Sequence, residues 1–193
     1  MNRNLKLVGF DPSLRNWGLA IGSYNLESGQ LRIDSIGVTC PVLSKGKQVR
    51  QNSLDLEAAC WLYKQAIAAA QGAHAVFVEV PVGSQSARAM ASYGICVGVL
   101  GALRANNTAF FEVTPTEVKL AGFGDKNATK RQMIDWACQT HPEANWPTYS
   151  KNGKTLVTES LAEHQADAIA AIHAGVASNP FQQMLPFLLH RIA

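Results

Sequence analysis

The chain has 193 residues, 47% hydrophobic and 16% charged, with a net charge of +3; this suffices for one well-buried domain, is too short for two full ones and is too apolar for a disordered chain. No apolar run reaches the ~18 residues of a membrane span, and Met1-Asn2-Arg3-Asn4 leads directly into a strand pattern with no signal peptide. Cys40, Cys60, Cys96 and Cys138 are scattered without a C-x-x-C pair, which argues against zinc and for reduced thiols in a cytoplasmic setting.

Leu5 to Phe10 alternates into an apolar strand that ends on Asp11, and Pro12-Ser13-Leu14-Arg15-Asn16 turns it back into a second strand, Trp17 to Tyr24. The turn Glu27-Ser28-Gly29-Gln30 opens a third strand, Leu31 to Thr39. A polar, basic connection over 46–51 precedes a helix capped by Asn52 or Ser53 and running to about Gln71. His74 to Val80 is a nearly continuous apolar strand, as expected of a central one, and carries Glu79 near its end. Gln85 to Ala105 reads as a helix rich in small residues, and Ala109 to Val113 as a short strand. Thr114-Pro115-Thr116-Glu117 is a capping-box helix start. A second helix runs from about Ala128 to Thr140, and residues 141–158 read as irregular, with a hairpin tip at Lys151-Asn152-Gly153-Lys154. Ser160 to about Ala177 forms the last helix, followed by an apolar tail from Pro180 that Pro186 breaks. Antiparallel strands first and helix-crossed strands later give an α/β mixed sheet with helices on its faces, one domain over 1–193.

Three acidic places stand out: Asp11 and Glu79 at strand ends, and Glu163-His164-Gln165-Ala166-Asp167 on a helix. Spacings of three and four place His164 and Asp167, or Glu163 and Asp167, on one helical face. Such groups on an otherwise apolar helix are costly unless they meet a metal or a partner. Oxygen-rich donors suit Mg2+ or Mn2+, and two such ions can hold the attacking and leaving oxygens of a phosphodiester. Singly, each residue has a blander reading: a turn aspartate, a solvated strand end, a capping histidine, a surface glutamate. Their combination on these elements carries the signal.

Those residues resemble the RuvC family of Holliday-junction resolvases, within the RNase H-like fold, from about Lys6 to Ala174. Gly9-Phe10-Asp11-Pro12-Ser13 is similar to the family's G-x-D-P-G strand and hairpin, with Ser13 in place of the usual glycine. Glu79 resembles the second acid, and His164-Gln165-Ala166-Asp167-Ala168 the H-x-x-D-A form of the terminal helix. The resemblance implies a five-stranded sheet with helices on both faces. It implies a catalytic, metal-binding set of Asp11, Glu79, His164 and Asp167, with Glu163 as a substitute ligand and two Mg2+ or Mn2+ ions. Thr114-Pro115-Thr116-Glu117-Val118-Lys119 and the stretch Gly122 to Met133 resemble two further family segments. They imply that Lys119 and Lys130 hold the scissile phosphate. Lys126 and Arg131 would grip backbone phosphates, or be plain surface charge.

The chain also departs from the family. Val82 stands where many members carry an aromatic residue, and Ser84, Gln85 and Arg88 offer a candidate phosphate contact there, or simply a helix cap. Residues 141–158 exceed the family's usual length, and Trp146, Lys151 and Lys154 within them would touch DNA or belong to a solvated hairpin. The chain is thus similar to a divergent member, by analogy of phage or mobile-element type. The resemblance implies a homodimeric endodeoxyribonuclease that nicks four-way or branched DNA symmetrically, leaving 5′-phosphate and 3′-hydroxyl ends. Alternatives are another RNase H-like nuclease acting on RNA–DNA hybrids or flaps, and a junction-binding protein without catalysis. An actin-like or sugar-kinase ATPase half would need a second strand-and-hairpin copy, which the sequence lacks.

Overall fold

A computed structural model describes residues 4–44 and 50–192, so most of the connection over 46–51 lies outside the described residues. β1 (Asn4–Asp11), β2 (Trp17–Asn25) and β3 (Leu31–Thr39) form an antiparallel meander. After α1 (Gln51–Ala70), β4 (Ala75–Glu79) returns parallel to β1. α2 (Ala87–Ala105) then leads to β5 (Phe111–Val113), parallel to β4. The sheet order is β3-β2-β1-β4-β5, the mixed five-stranded sheet of the RNase H-like fold. α3 (Pro115–Gly122), α4 (Lys130–Thr140), α5 (Glu159–Ala177) and α6 (Asn179–Ile192) follow, with a separate ribbon of β6 (Thr148–Lys151) and β7 (Lys154–Val157) between α4 and α5.

Alternation along β1 divides the core. Leu5 and Leu7 point to one face, where they meet Ile134 of α4, Ala168, Ile169 and Ile172 of α5, and Phe181 of α6. Val8 and Phe10 point to the other, where Leu62 of α1 and Val99, Leu100 and Leu103 of α2 cover them. α5 is also flanked by Val118 of α3 and Met133 of α4, so Ala170, Ala171 and Ala174 are buried on its far side. It lies unusually close to the sheet. A Cβ at Gly9 would collide with the Ala168 carbonyl, and one at Gly18 with the His164 carbonyl. Glycine at these two positions is what lets the helix backbone approach the strands.

Several boundaries differ from the sequence reading. α1 starts at Gln51, with Arg50 as an N-cap that makes no side-chain hydrogen bond, and not under Asn52 or Ser53. α2 begins two residues later than Gln85, because Ser86 caps it by accepting from the Ala89 N–H. α4 starts at Lys130 rather than Ala128, because Thr129 and Gln132 form a reciprocal capping box. The tail is a helix that continues through Pro186. Buried Phe181 and half-buried Met184, Leu185 and Leu188 pack against the core, which offsets the ~3 kcal/mol cost of a helical proline.

The segment read as irregular is anchored at its start. Ile33 N–H donates to Glu143 Oε1 at 3.3 Å, and Ile36 N–H to Asn145 Oδ1 at 3.2 Å. These side chains occupy backbone donors of edge strand β3, which would otherwise be free to pair with another chain. Trp146 is not a free surface residue, since its Nε1 donates to the His141 carbonyl at 3.0 Å.

Candidate active site

Asp11 and Glu79 end the two central parallel strands. The register Phe10↔Val78 sets them side by side at the carboxyl edge of the sheet. Leu7, Gly9 and Asp11 alternate with Val8 and Phe10, as Ala75, Phe77 and Glu79 do with Val76 and Val78, so both acids face α5. That helix supplies His164 and, one turn on, Asp167. His164 Nδ1 is hydrogen-bonded to Asp11 Oδ2 at 2.7 Å, which joins residues 153 positions apart. The close packing at Gly18 makes this contact reachable.

The electrostatics of the cluster are strained. Burial, reinforced by the charges of Asp11 and Asp167 and partly offset by Lys119, pushes Glu79 up to about 8. Burial likewise pushes Asp167 up to about 7; Asp11 and Glu163 add to the rise, while His164 and Lys119 oppose it. Burial would lower His164, but its hydrogen bond to Asp11 and the charges of Asp11, Glu163 and Asp167 hold it above its ordinary value. Three carboxyl groups and an imidazole thus crowd into one low-dielectric notch without enough positive charge to ionise them all.

The set is made of hard oxygen donors and one imidazole, which fits a divalent cation of the magnesium or manganese type. Among the described residues, no three such donors already surround a single point, and one oxygen of Asp11 is engaged by His164. Cation binding would therefore reorient side chains within the notch and displace the protons that Glu79 and Asp167 retain.

Lys119 sits in the capping-box helix α3, where the Thr114 N–H donates to Glu117 Oε2 at 2.7 Å. It is close enough to Glu79 and Asp167 to lower both. Lys130, at the first position of α4, is paired with Glu163 at 2.8 Å, which raises its pKa. Glu163 Oε1 lies 3.6 Å from His164 Nε2, so this carboxylate bridges the lysine and the histidine. Both lysines and Glu163 thus border the notch.

The other candidates lie elsewhere. Arg88 makes a double hydrogen bond to buried Asp55, at 2.6 and 2.7 Å, and so ties α2 to α1. Arg131 is matched by Asp135 and Glu159. Ser84 and Gln85 are exposed in the loop before α2, and the Ser84 hydroxyl accepts from the Ser86 N–H. Lys126 is exposed between α3 and α4 and makes no ion pair among the described residues.

One residue escaped the sequence reading. Asp11 and Glu79 open into a cleft of about 130 Å³, also lined by Pro12, Pro81, Val82, Tyr93 and Pro115. Tyr93, from α2, brings an aromatic side chain to the wall of this cleft. No local sequence pattern singles out Tyr93, which reaches the cleft only through the placement of α2 beside the ends of β1 and β4.

No protein-family model and no curated protein matches the chain. Among solved structures, it is similar to T. thermophilus RuvC in complex with a Holliday-junction substrate, at 18% identity and a TM-score of 0.61, over 92% of this chain and 97% of that one. A second Thermus thermophilus RuvC structure matches at 17% identity and a TM-score of 0.61, over 94% of this chain and 97% of that one. At such identity the likeness is one of fold.

Proposed function

We propose that the chain is a single-domain, metal-dependent endonuclease that nicks four-way or other branched DNA, acting as a homodimer in the cytoplasm. The observation that carries this reading is the convergence of Asp11, Glu79, His164 and Asp167 on one notch, with two acids driven up to about 7 and 8 by burial and mutual repulsion. Such a concentration of charge is costly to fold and is expected where a cation is to be held. The likeness in fold to a RuvC–junction complex supports the choice of DNA substrate.

Asp11, Glu79, His164 and Asp167 would hold one or two Mg2+ or Mn2+ ions. When bound, these neutralise the notch and supply Lewis-acid activation of water and of the scissile phosphate. The residues of the chain do the rest. Asp11, fixed at a strand end, sets the position of the cluster. Its hydrogen bond occupies His164 Nδ1, so a ligand would compete with Glu163, 3.6 Å away, for Nε2. Lys119 and Lys130 bring positive charge to the border of the notch, where a phosphate gains charge in the transition state. Tyr93, Pro12, Pro81 and Pro115 wall one side of the cleft. Two copies would present two such notches to the two scissile strands of a junction.

The test is a panel of labelled four-way junction, linear duplex and RNA–DNA hybrid, each with Mg2+ and with Mn2+. Paired nicks confined to the junction, with 5′-phosphate ends, are expected. Cutting of the hybrid alone would move the chain to another RNase H-like activity, and binding without cleavage under either metal would leave a junction-binding protein.

A further inference from the structure

The ribbon of β6 and β7 pairs with no other strand among the described residues, and every residue from Thr148 to Leu156 is exposed. A lone two-stranded hairpin is marginal in water, so its persistence outside the core calls for a reason. Its turn is well specified: Asn152 and Gly153 have φ of 52° and 73°, the left-handed pair of a type I′ turn. Its base is anchored, with the Thr158 N–H donating to the Pro147 carbonyl at 2.7 Å and Trp146 tied to His141. Thr158 is also the N-cap of α5, so the base lies roughly 9 Å along that helix from His164.

The tip carries the informative feature. Lys151 and Lys154 face each other directly across the ribbon, and like charges so placed destabilise a hairpin. Neither makes an ion pair among the described residues, and no acidic residue occurs between Glu143 and Glu159. Lys130, by contrast, is held by Glu163 at 2.8 Å, while Lys126, like the two tip lysines, has no ion-pair partner among the described residues. Behind the tip, Tyr149 and Leu156 form an exposed cross-strand pair. Among the described residues these two facing lysines have no acidic partner and their hairpin pairs with no other strand, which suits an external partner of opposite charge.

We propose that this ribbon is a DNA-gripping arm, which places Lys151 and Lys154 on backbone phosphates of the duplex flanking the cleavage point. A four-residue strand reaches about 13 Å at ~3.3 Å per residue, and the major groove, about 12 Å wide, admits a two-stranded ribbon. The arm rests on the nuclease reading for its substrate, and adds the surface that holds the duplex beside the notch.

The test compares wild type, Lys151→Ala/Lys154→Ala and Lys151→Arg/Lys154→Arg, with labelled four-way junction as the probe. Loss of two phosphate contacts should reduce the slope of log K against log salt by about 1.8. The arginine pair should restore it. At sub-saturating enzyme the cleavage rate of the alanine pair should fall in step with its affinity, and the arginine pair should restore both. The alanine pair should melt no lower than wild type, because it removes a repulsion. An alanine pair with wild-type affinity and salt slope overturns the arm while leaving the nuclease reading in place. So does an alanine pair that alters only self-association in sedimentation. Failure of wild type to bind the four-way junction removes the junction-nuclease reading, and the arm with it.

Discussion

Replacing Asp167 by asparagine should stabilise the metal-free protein. The carboxyl titrates near 7 in the folded chain against an ordinary value of 3.8, mainly because of burial and the charge of Asp11. The native state therefore binds this proton more tightly than the unfolded chain does, and stability falls as pH rises from about 4 through 7. Roughly three pKa units correspond to about 4 kcal/mol at pH 8. The buried amide of asparagine needs hydrogen-bond partners and returns about 1–3 kcal/mol of this. The expected net gain of about 1–3 kcal/mol raises Tm by roughly 2–12 °C in a chain of this size. Thermal melts in EDTA at pH 8 and pH 4 measure it: the variant should melt higher at pH 8, and at pH 4, where the wild-type carboxyl is already neutral and only the amide cost remains, it should melt somewhat lower than wild type. Added Mg2+ should raise the Tm of wild type and not that of the variant. A variant that melts at or below wild type at pH 8 in EDTA would refute the idea that the notch stores uncompensated charge.

Gly18→Ala forces a Cβ against the His164 carbonyl; about 1–3 kcal/mol of stability should be lost, and cleavage should fall by up to ~100-fold as Asp11 and His164 separate. Gly98→Ala, where nothing lies within 4 Å of the added carbon, should leave cleavage unchanged, and equal effects at the two sites would contradict the close-approach argument. His164→Asp should retain metal-dependent cleavage, because an acid at this position preserves a donor; a folded, metal-binding but inactive variant would assign proton chemistry to the imidazole instead. His173, 2.8 Å from His141, is pushed down to about 4 by burial and by that neighbour. The unfolded chain therefore takes up this proton first, so stability should fall by up to about 3 kcal/mol as pH drops from 6.5 to 4. Urea midpoints of His173→Gln should show a flatter acid limb, and parallel limbs would count against it.

The strand ends were legible because periodicity and chemistry agree there: an apolar run that stops on an acid announces both the strand and the edge where it ends. The mixed sheet followed from the lengths of the connections. Helical spacing narrowed the set to Asp167 with His164 or Glu163, and the family resemblance chose His164, but the contact of His164 with Asp11 was not legible. That contact depends on glycines on two strands and a helix backbone far away in the chain, which no local pattern reveals. Capping chemistry explains part of the difference at the helix starts: Thr129 and Gln132 form a box that sets α4 two residues beyond Ala128, and α1 begins without a side-chain cap. Helix α6 survives Pro186 through tertiary packing, which overrides propensity. Arg88 looked like a phosphate contact because Asp55, its partner, lies 33 residues earlier on another helix.

The most direct test of the account is single-turnover cleavage of a labelled four-way junction by Asp11→Asn, measured with Mg2+ and alongside binding of the same junction. Strand cleavage should be abolished while affinity for the junction stays close to wild type. Cleavage at the wild-type rate would show that the reaction does not pass through the notch formed by Asp11, Glu79, His164 and Asp167.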